Sequence, residues 1–280
     1  MNRKKVFVNI PQLLYYTILL IGTVVAVFPL YWVLASSVRV YQELYTVPAS
    51  FFPKSFTLRN YINVLTYTRF TQFFSNSIIV SVATTVITVA IGCMAAYGIT
   101  RPKLRGKGLI GKAVLVAYMF PPVILIIPLF QIIAKIGLSN TTQGIILTYI
   151  TFSFPFCTWM LTSYIKTIPT SIEESASIDG ALNIQIFFKI IIPLIKPALA
   201  TSAIFTFINA WNEFLYSFVI ATSDTVRTLP AGLYALMTAE LMDWGMNLGW
   251  ISMMLIPSTV VFSLISKNIV GGLTAGAVKG

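Results

Sequence analysis

Residues 173–193 read EESASIDGALNIQIFFKIIIP, an acidic stretch with an internal glycine that lies between two long apolar segments. Glu173, Glu174 and Asp179 are three of the eight acidic residues in the chain. A chain that is otherwise strongly hydrophobic has little use of its own for such a cluster. We therefore interpret the stretch as a surface that contacts another protein.

The composition is that of a membrane protein. Of the 280 residues, 57% are hydrophobic and 10% are charged, whereas soluble domains carry about 25% charged residues. The net charge of +11 does not predict a nucleic-acid partner, because the Lys and Arg residues alternate with apolar segments and fit a membrane surface better. Cys93 and Cys157 lie inside apolar stretches and are interpreted as small core residues.

Six apolar segments are long enough to cross a bilayer, which takes about 20 residues per helix. They lie at about 12–36, 73–99, 109–134, 143–165, 195–222 and 248–270. Within lipid a lone segment must satisfy its own backbone hydrogen bonds, so each span is predicted to be a helix. We predict an all-α integral membrane protein that forms one transmembrane domain over residues 1–280, with its first span retained rather than cleaved.

The distribution of Lys and Arg predicts that both termini lie in the cytoplasm. This orientation places 13 cationic residues inside and 6 outside, as the positive-inside rule requires. The inner set is Arg3, Lys4, Lys5, Arg101, Lys103, Arg105, Lys107, Lys112, Lys166, Lys189, Lys196, Lys267 and Lys279. The loops at 37–72 and 223–247 are then external, and their aromatic residues either anchor at the membrane interface or contact an external protein.

The cytoplasmic loop at 169–193 is predicted to form two short helices joined by a turn. Ser171 and Glu174 have the spacing of a capping box at the start of the first helix. Gly180 can adopt the left-handed conformation that ends it, and Asn183 can cap the second. Helices this short are not stable alone in water, so a partner surface is expected to fix the first one.

The same loop resembles the conserved cytoplasmic loop of ABC importer permeases, which reads E-A-A, three residues, G, nine residues, I-x-L-P. Glu174, Gly180 and Pro193 occupy its fixed positions, while Ser175 and Ile192 replace an alanine and a leucine. In that family the loop forms a coupling helix that docks into a groove of the ATP-binding subunit. The residues that the resemblance assigns to this contact are Glu173, Glu174, Ser175, Ala176, Asp179, Gly180 and Ala181.

Two further stretches resemble the maltose-type carbohydrate branch of these permeases: AWNEF at 210–214 with RTLP at 227–230, and the glycine-rich segment 271–280. The resemblance implies a permease subunit of an importer for a sugar or oligosaccharide, in a bacterial or archaeal plasma membrane. Its implied partners are a second homologous permease subunit in a heterodimer, two ATP-binding subunits and an extracytoplasmic solute-binding protein. It also implies that this chain binds no cofactor and that ATP and magnesium bind to the partner ATPase.

The fifth span carries a stripe of polar residues at helical spacing. Ser202, Thr206, Asn209, Glu213 and Tyr216 recur at intervals of 4, 3, 4 and 3, with Asn212 beside them. The stripe either lines a translocation path for sugar hydroxyls or holds neighbouring helices together. An ionisable group is costly inside a bilayer, so Glu213 is expected to face protein, water or substrate, and a structural role is favoured for it.

Other functions fit the chain less well. The segment GKGLIGK at 106–112 has phosphate-loop spacing, but Ala113 follows where a Ser or Thr would reach magnesium. The absence of histidine excludes the usual general base, and no catalytic constellation replaces it. The alternatives that stay open are a secondary transporter, which usually shows two repeated halves, and an ABC permease for a solute other than a sugar.

Overall fold

The computed structural model describes residues 10–101, 106–238 and 243–277. Every regular element within these ranges is helical. The helices are α1 (Ile10–Ser37), α2 (Tyr41–Leu44), α3 (Arg59–Tyr67), α4 (Phe70–Thr100), α5 (Lys107–Met119), α6 (Ile126–Lys135), α7 (Thr142–Ile165), α8 (Thr170–Ile178), α9 (Asn183–Ile186), α10 (Ile192–Leu194), α11 (Lys196–Asn212), α12 (Leu215–Ile220), α13 (Leu229–Met237) and α14 (Trp244–Ala277). A 3-10 turn, Pro122–Leu125, precedes α6, and a π turn, Phe187–Ile191, follows α9.

The described helices include four that are long and apolar enough to cross a membrane unaided: Leu14–Ser37, Phe70–Thr100, Thr142–Ile165 and Trp244–Ser263. Two bent pairs meet the same test, Lys107–Met119 with Pro122–Lys135 and Asn183–Leu194 with Lys196–Asn212. Counting each pair as one span gives six. The prediction of an all-α membrane fold is confirmed.

The contacts divide the chain into two compact units, Met1–Thr68 with Leu236–Met254 and Arg69–Ala235 with Leu255–Gly280. The assignment of residues 1–280 to one domain stays a prediction. Some residues that entered the sequence argument lie outside the described ranges: Arg3, Lys4, Lys5, Lys103, Arg105, Lys279 and the last three residues of the C-terminal segment.

The first unit has a polar core in the loop that follows α1. The side chains of Arg39 and Glu43 are 2% and 8% exposed and form an ion pair at 3.7 Å. The Glu43 carboxylate accepts hydrogen bonds from the backbone N–H groups of Lys54 and Ser55 and from two serine hydroxyls. These hydrogen bonds, foremost the one from the Ser55 hydroxyl, lower the pKa of Glu43 to about 2. The loop is therefore an ordered structure held by one buried carboxylate.

The second unit is built around the contact of α4 with α7 and α11. Small residues let α4 and α7 approach closely, because a Cβ added to Gly92 on α4 would lie 3.1 Å from the sulfur of Cys157 on α7. Cys93 and Cys157 are both free and buried in one apolar cluster, which confirms that they are core residues. Leu161, Ile165 and further apolar side chains continue this cluster toward the segment that follows α7.

Two predicted spans are not continuous helices. The span at 109–134 bends by 94° after Met119, because Pro121 and Pro122 lack N–H groups and hold the chain extended. The span at 195–222 ends as a helix at Asn212 and restarts at Leu215. The backbone of Glu213 is extended, with φ −70° and ψ 124°, and this ends α11, while the Asn212 side chain donates to the carbonyl of Ile208 at 3.0 Å.

Candidate functional site

The loop helix α8 ends where the sequence predicts. Gly180 has φ +85°, the left-handed conformation, and its N–H donates to the carbonyl of Ser177 at 3.1 Å. The next N–H, of Ala181, donates to the carbonyl of Ala176 at 2.9 Å. These two bonds form a Schellman motif, in which residues just beyond the helix donate to its last free carbonyl groups.

The predicted caps of the loop helices are wrong in position. Pro169, not Ser171, is the N-cap of α8, and no side chain caps that end. The helix starts at Thr170, so Ser171 is already helical and the capping box with Glu174 does not form. Leu182, not Asn183, precedes α9, and its N–H donates to the side-chain oxygen of Gln185 at 3.0 Å.

Glu173 points toward α4 rather than toward solvent. Its carboxylate forms an ion pair with the Arg101 guanidinium, and both side chains are 12% exposed. It also accepts a hydrogen bond from the Tyr97 hydroxyl at 2.9 Å. The Arg101 guanidinium lies over the Tyr97 ring, 5.6 Å from the ring centroid. One of the acidic residues predicted to meet a partner therefore contacts the C-terminal end of α4 within this chain.

The alanines of the motif face inward as well. Ala176 and Ala181 pack against the apolar cluster that contains Ile165, Ile186 and Phe187. The small side chains bring the helix backbone close to that cluster. These contacts attach the end of α8 to the core of the second unit.

The opposite face of α8 is exposed. Glu174, Ser175 and Asp179 are exposed to solvent, and Ile178 between them is 86% exposed. A single exposed apolar side chain is common at protein surfaces, so Ile178 does not by itself identify a contact. Four of the seven residues assigned to the coupling contact (Glu174, Ser175, Asp179, Gly180) are thus accessible, and Glu173, Ala176 and Ala181 face the chain itself.

A cavity of about 720 Å³ opens beside α7 and α11, and we call it the α7–α11 cavity. Its volume is in the range of small-molecule sites. It is lined by Ala117, Tyr118, Phe120, Pro122, Leu125, Thr151, Phe152, Ser153, Pro155, Phe156, Phe205, Thr206, Asn209, Glu213 and Tyr216. Four of the six residues predicted for a substrate path, Thr206, Asn209, Glu213 and Tyr216, are in this lining.

The cavity lining includes hydroxyl groups that have no hydrogen-bond partner among the described residues. The hydroxyls of Ser153 and Thr206 are buried and make no hydrogen bond, and the Asn209 side chain is exposed. These two hydroxyl oxygens have almost no accessible surface, so of the three groups only the Asn209 side-chain amide is accessible to a ligand. The Asn209 amide offers a donor and an acceptor of the kind that sugar hydroxyls require.

Aromatic rings form much of the remaining wall. Phe152 stacks on Tyr216 at 5.1 Å between ring centroids, and Phe156 meets Phe205 edge-on at 5.7 Å. Tyr118 and Phe120 complete this wall from α5 and the bend after it. The sequence alone does not place these two residues at a site, because their position depends on the 94° bend. The hydroxyl of Tyr216 donates to the carbonyl of Pro122 at 2.5 Å, which joins the bend to α12.

Glu213 lines the cavity but acts first as a helix cap. Its carboxylate accepts from the N–H of Tyr216 at 2.9 Å and from the N–H of Ser217 at 3.2 Å. A carboxylate at a helix N-terminus satisfies free N–H groups and complements the helix dipole. The placement of Glu213 on one continuous helical stripe is therefore wrong, since the carboxylate stabilises the break in the span.

The remaining two predicted path residues lie outside the cavity lining. Ser202 is completely buried within α11, and Asn212 donates to the carbonyl of Ile208 on its own helix. The predicted residues therefore do not form one surface: four line the cavity, Ser202 is in the core and Asn212 is at the end of α11.

The second unit combines helices able to cross a membrane with an open cavity between three of them and an exposed loop helix, and this combination defines the class of membrane transport proteins. The chain belongs to the family described as "Binding-protein-dependent transport system inner membrane component", which matches residues 88–275. The resemblance to importer permeases that the loop motif indicates is confirmed.

Individual proteins are similar over most of this chain. The inner membrane ABC transporter permease protein YcjP of Escherichia coli (strain K12) is 32% identical over 268 residues, with 95% of this chain and 96% of that protein covered. The trehalose/maltose transport system permease protein MalG of Thermococcus litoralis is 38% identical over 228 residues, with 80% and 82% covered. A chain in the crystal structure of a bacterial ABC transporter involved in the import of alginate, an acidic polysaccharide, shares the fold, with a TM-score of 0.78, 24% identity and 92% and 96% covered.

Proposed function

We propose that this chain is one of two permease subunits of an ABC importer that takes up a sugar or oligosaccharide. A second, homologous permease subunit completes the pathway as a heterodimer partner. Two ATP-binding subunits supply the energy, and an extracytoplasmic solute-binding protein delivers the sugar. Sugars and other solutes require different side chains in the binding site, so the cavity lining helps to distinguish between them.

The α7–α11 cavity is the observation that carries this proposal. It combines aromatic rings, which stack on sugar rings, with the accessible side-chain amide of Asn209. The described lining contains one charged side chain, Glu213, and no Lys or Arg. This pattern favours an uncharged sugar over an acidic one. A relative that is 38% identical is a permease of a trehalose/maltose transport system, which supports the same substrate class.

The exposed face of α8 is proposed to be the coupling surface for an ATP-binding subunit. Glu174 and Asp179 supply charge there, and Ile178 supplies an apolar contact. ATP and magnesium would bind to the partner subunits, with no cofactor on this chain. ATP-driven approach of the two ATPases would then move α8 and with it the helices that line the cavity, as a rigid-body change.

The excess of Lys and Arg on one side supports a multi-pass position in a bacterial or archaeal plasma membrane with both termini in the cytoplasm. In this orientation α8 lies on the cytoplasmic side, where ATP is available. The loops at 37–72 and 223–247 lie on the opposite side, where a solute-binding protein would dock.

Affinity purification from native membranes, followed by uptake into proteoliposomes, tests the proposal. An ATP-binding subunit and a second permease are expected to co-purify, and with the solute-binding protein ATP is expected to drive uptake of at least one neutral probe, either maltose or trehalose. Uptake driven by an ion gradient without a co-purifying ATPase would instead indicate a secondary transporter. ATP-driven uptake of amino acids but of no sugar would indicate a permease for another solute.

A further inference from the structure

The attachment of α8 to the rest of the chain consists of two contacts at different points along a short helix. Glu173, in the first half of α8, pairs with Arg101, while Ala176 and Ala181 pack on the apolar cluster toward its end. The helix has 9 residues and is therefore about 13 Å long. A single contact would let so short a helix pivot, whereas two contacts fix its direction.

The contact through Glu173 is not reinforced by tight packing. A groove of about 700 Å³ lies between α8 and the end of α4, and its lining includes the accessible Glu174 and Ile178 as well as Tyr97, Arg101 and Glu173. In the part of the chain that the structure describes, Tyr97, Arg101 and Glu173 supply the polar contacts between the two helices. The ion pair is thus the connection between α8 and α4 on this side.

The end of α4 is in turn connected to the cavity. Farther along α4, Gly92 lies directly against Cys157 and Thr158 of α7. On α7, Phe152, Ser153 and Phe156 line the cavity. A displacement of α8 can therefore reach the cavity through α4 and α7, provided that α8 and α4 move together.

We propose that Glu173 is a positioning residue that locks α8 to α4, so that a force on α8 moves the two helices as one rigid body. This inference rests on the proposed function, in which an ATP-binding subunit contacts α8. The role differs from that of Glu174, which faces outward in the same helical turn. The two adjacent glutamates have separate tasks: one holds the helix to its own subunit and the other meets the partner.

A distance between two spin labels in the assembled importer tests this role. Ser75 and Ser171 are both exposed, the first near the start of α4 and the second in α8, and Ser75 and Tyr97 are separated by about 33 Å along α4. Cysteines at 75 and 171 are expected to take the label selectively, because Cys93 and Cys157 are buried. The distance is measured without nucleotide and after trapping with ATP, magnesium and vanadate.

With Glu173 intact, the distance between the labels is expected to be the same in both states, because the two helices move as one body. In Glu173→Gln it is expected to shift between the states, because the ion pair with Arg101 is lost. The control Lys166→Gln, which removes an exposed charge just before α8 outside the coupling surface and the cavity, is expected to show no shift. Reversing the pair with Glu173→Arg and Arg101→Glu is expected to restore the constant distance. A general loss of folding would not be repaired by that exchange.

Tyr97→Phe gives a second variant if Glu173→Gln does not assemble. It removes the hydroxyl donor and keeps the ring under Arg101, and it is expected to produce a smaller shift of the same kind. A constant distance in the assembled Glu173 and Tyr97 variants would overturn the inference, and so would a shift in the unmodified chain. A cross-link from Asp179→Cys to the ATP-binding subunit distinguishes a failure of the proposed function from a failure of the role of Glu173. Absence of the cross-link would count against the proposed function. A cross-link together with a constant label distance in the variants would count against the role of Glu173 alone.

Discussion

Replacing Gly180 by alanine is expected to loosen the end of α8 without any steric conflict. Gly180 has φ +85°, and a Cβ added there meets nothing within 4 Å. The cost is therefore the strain of a left-handed residue with a side chain, about 1–2 kcal/mol. A free-energy change of that size alters a two-state population by about 5- to 30-fold. The unwound form of the last turn should become more populated by this factor.

The effect can be measured by hydrogen exchange on the assembled importer. The N–H groups of Gly180 and Ala181 donate to the carbonyls of Ser177 and Ala176, and these bonds open when the turn unwinds. Exchange in a peptide that covers residues 170–182 is expected to accelerate by about 5- to 30-fold. ATP-driven uptake is expected to fall in parallel, because α8 then presents its outer face less often.

The chain offers matched controls for this substitution. Gly106 and Gly137 have φ +76° and +75°, and an added Cβ meets nothing within 4 Å at either position. Gly106→Ala and Gly137→Ala should therefore carry a similar strain but leave α8 and uptake unchanged. Unchanged exchange in Gly180→Ala would refute the reasoning, as would an equal loss of uptake in Gly137→Ala.

Three further predictions concern single side chains. Glu213→Gln is expected to weaken the cap of α12 and so lower the stability of the complex by about 1 kcal/mol, measured as a lower unfolding temperature. The range of sugars taken up should stay the same. A changed range with unchanged stability would instead indicate that Glu213 contacts the substrate. Asn209→Ala is expected to weaken the apparent sugar affinity by roughly 2- to 10-fold, because one hydrogen bond is lost. Asn212 lies outside the cavity lining, so Asn212→Ala should leave the affinity unchanged. Equal effects of the two substitutions would contradict the placement of the sugar site in the cavity. Because the pKa of Glu43 is lowered to about 2 from its model-peptide value of 4.5, its ionised form stabilises the loop fully above pH about 4.5, and this stabilisation is lost as the pH falls through about 2. Tryptophan fluorescence, which reports on Trp32 under the Arg39 guanidinium, should show this transition in the unmodified chain and not in Glu43→Gln, and a midpoint near 4.5 would contradict it.

The sequence was sufficient for features that depend on composition or on one residue's conformation. Helices able to cross a membrane follow from the length of the apolar segments, because a bilayer imposes that length on any chain. The turn at Gly180 follows from the unique freedom of glycine at positive φ. The buried state of Cys93 and Cys157 follows from their apolar surroundings in the sequence.

Features that depend on tertiary neighbours could not be derived from the sequence. Glu173 and Glu174 are adjacent and chemically identical, and what separates their roles is Arg101, which lies 72 positions before Glu173 in the chain. Helical spacing likewise placed Glu213 on a stripe, while its carboxylate caps the helix that follows a break. Two consecutive prolines indicate a distortion, but they do not give the 94° bend that brings Tyr118 to the cavity.

Energy coupling in the proposed importer requires that an ATP-binding subunit contact the outer face of α8. Site-specific cross-linking in the importer purified from native membranes measures this, with single cysteines at positions 174 and 179 and a control cysteine at position 75 near the start of α4. We predict cross-links to the ATP-binding subunit from 174 and 179 and none from 75. A complex that hydrolyses ATP and transports sugar, yet forms no cross-link from either position on α8, would contradict the account.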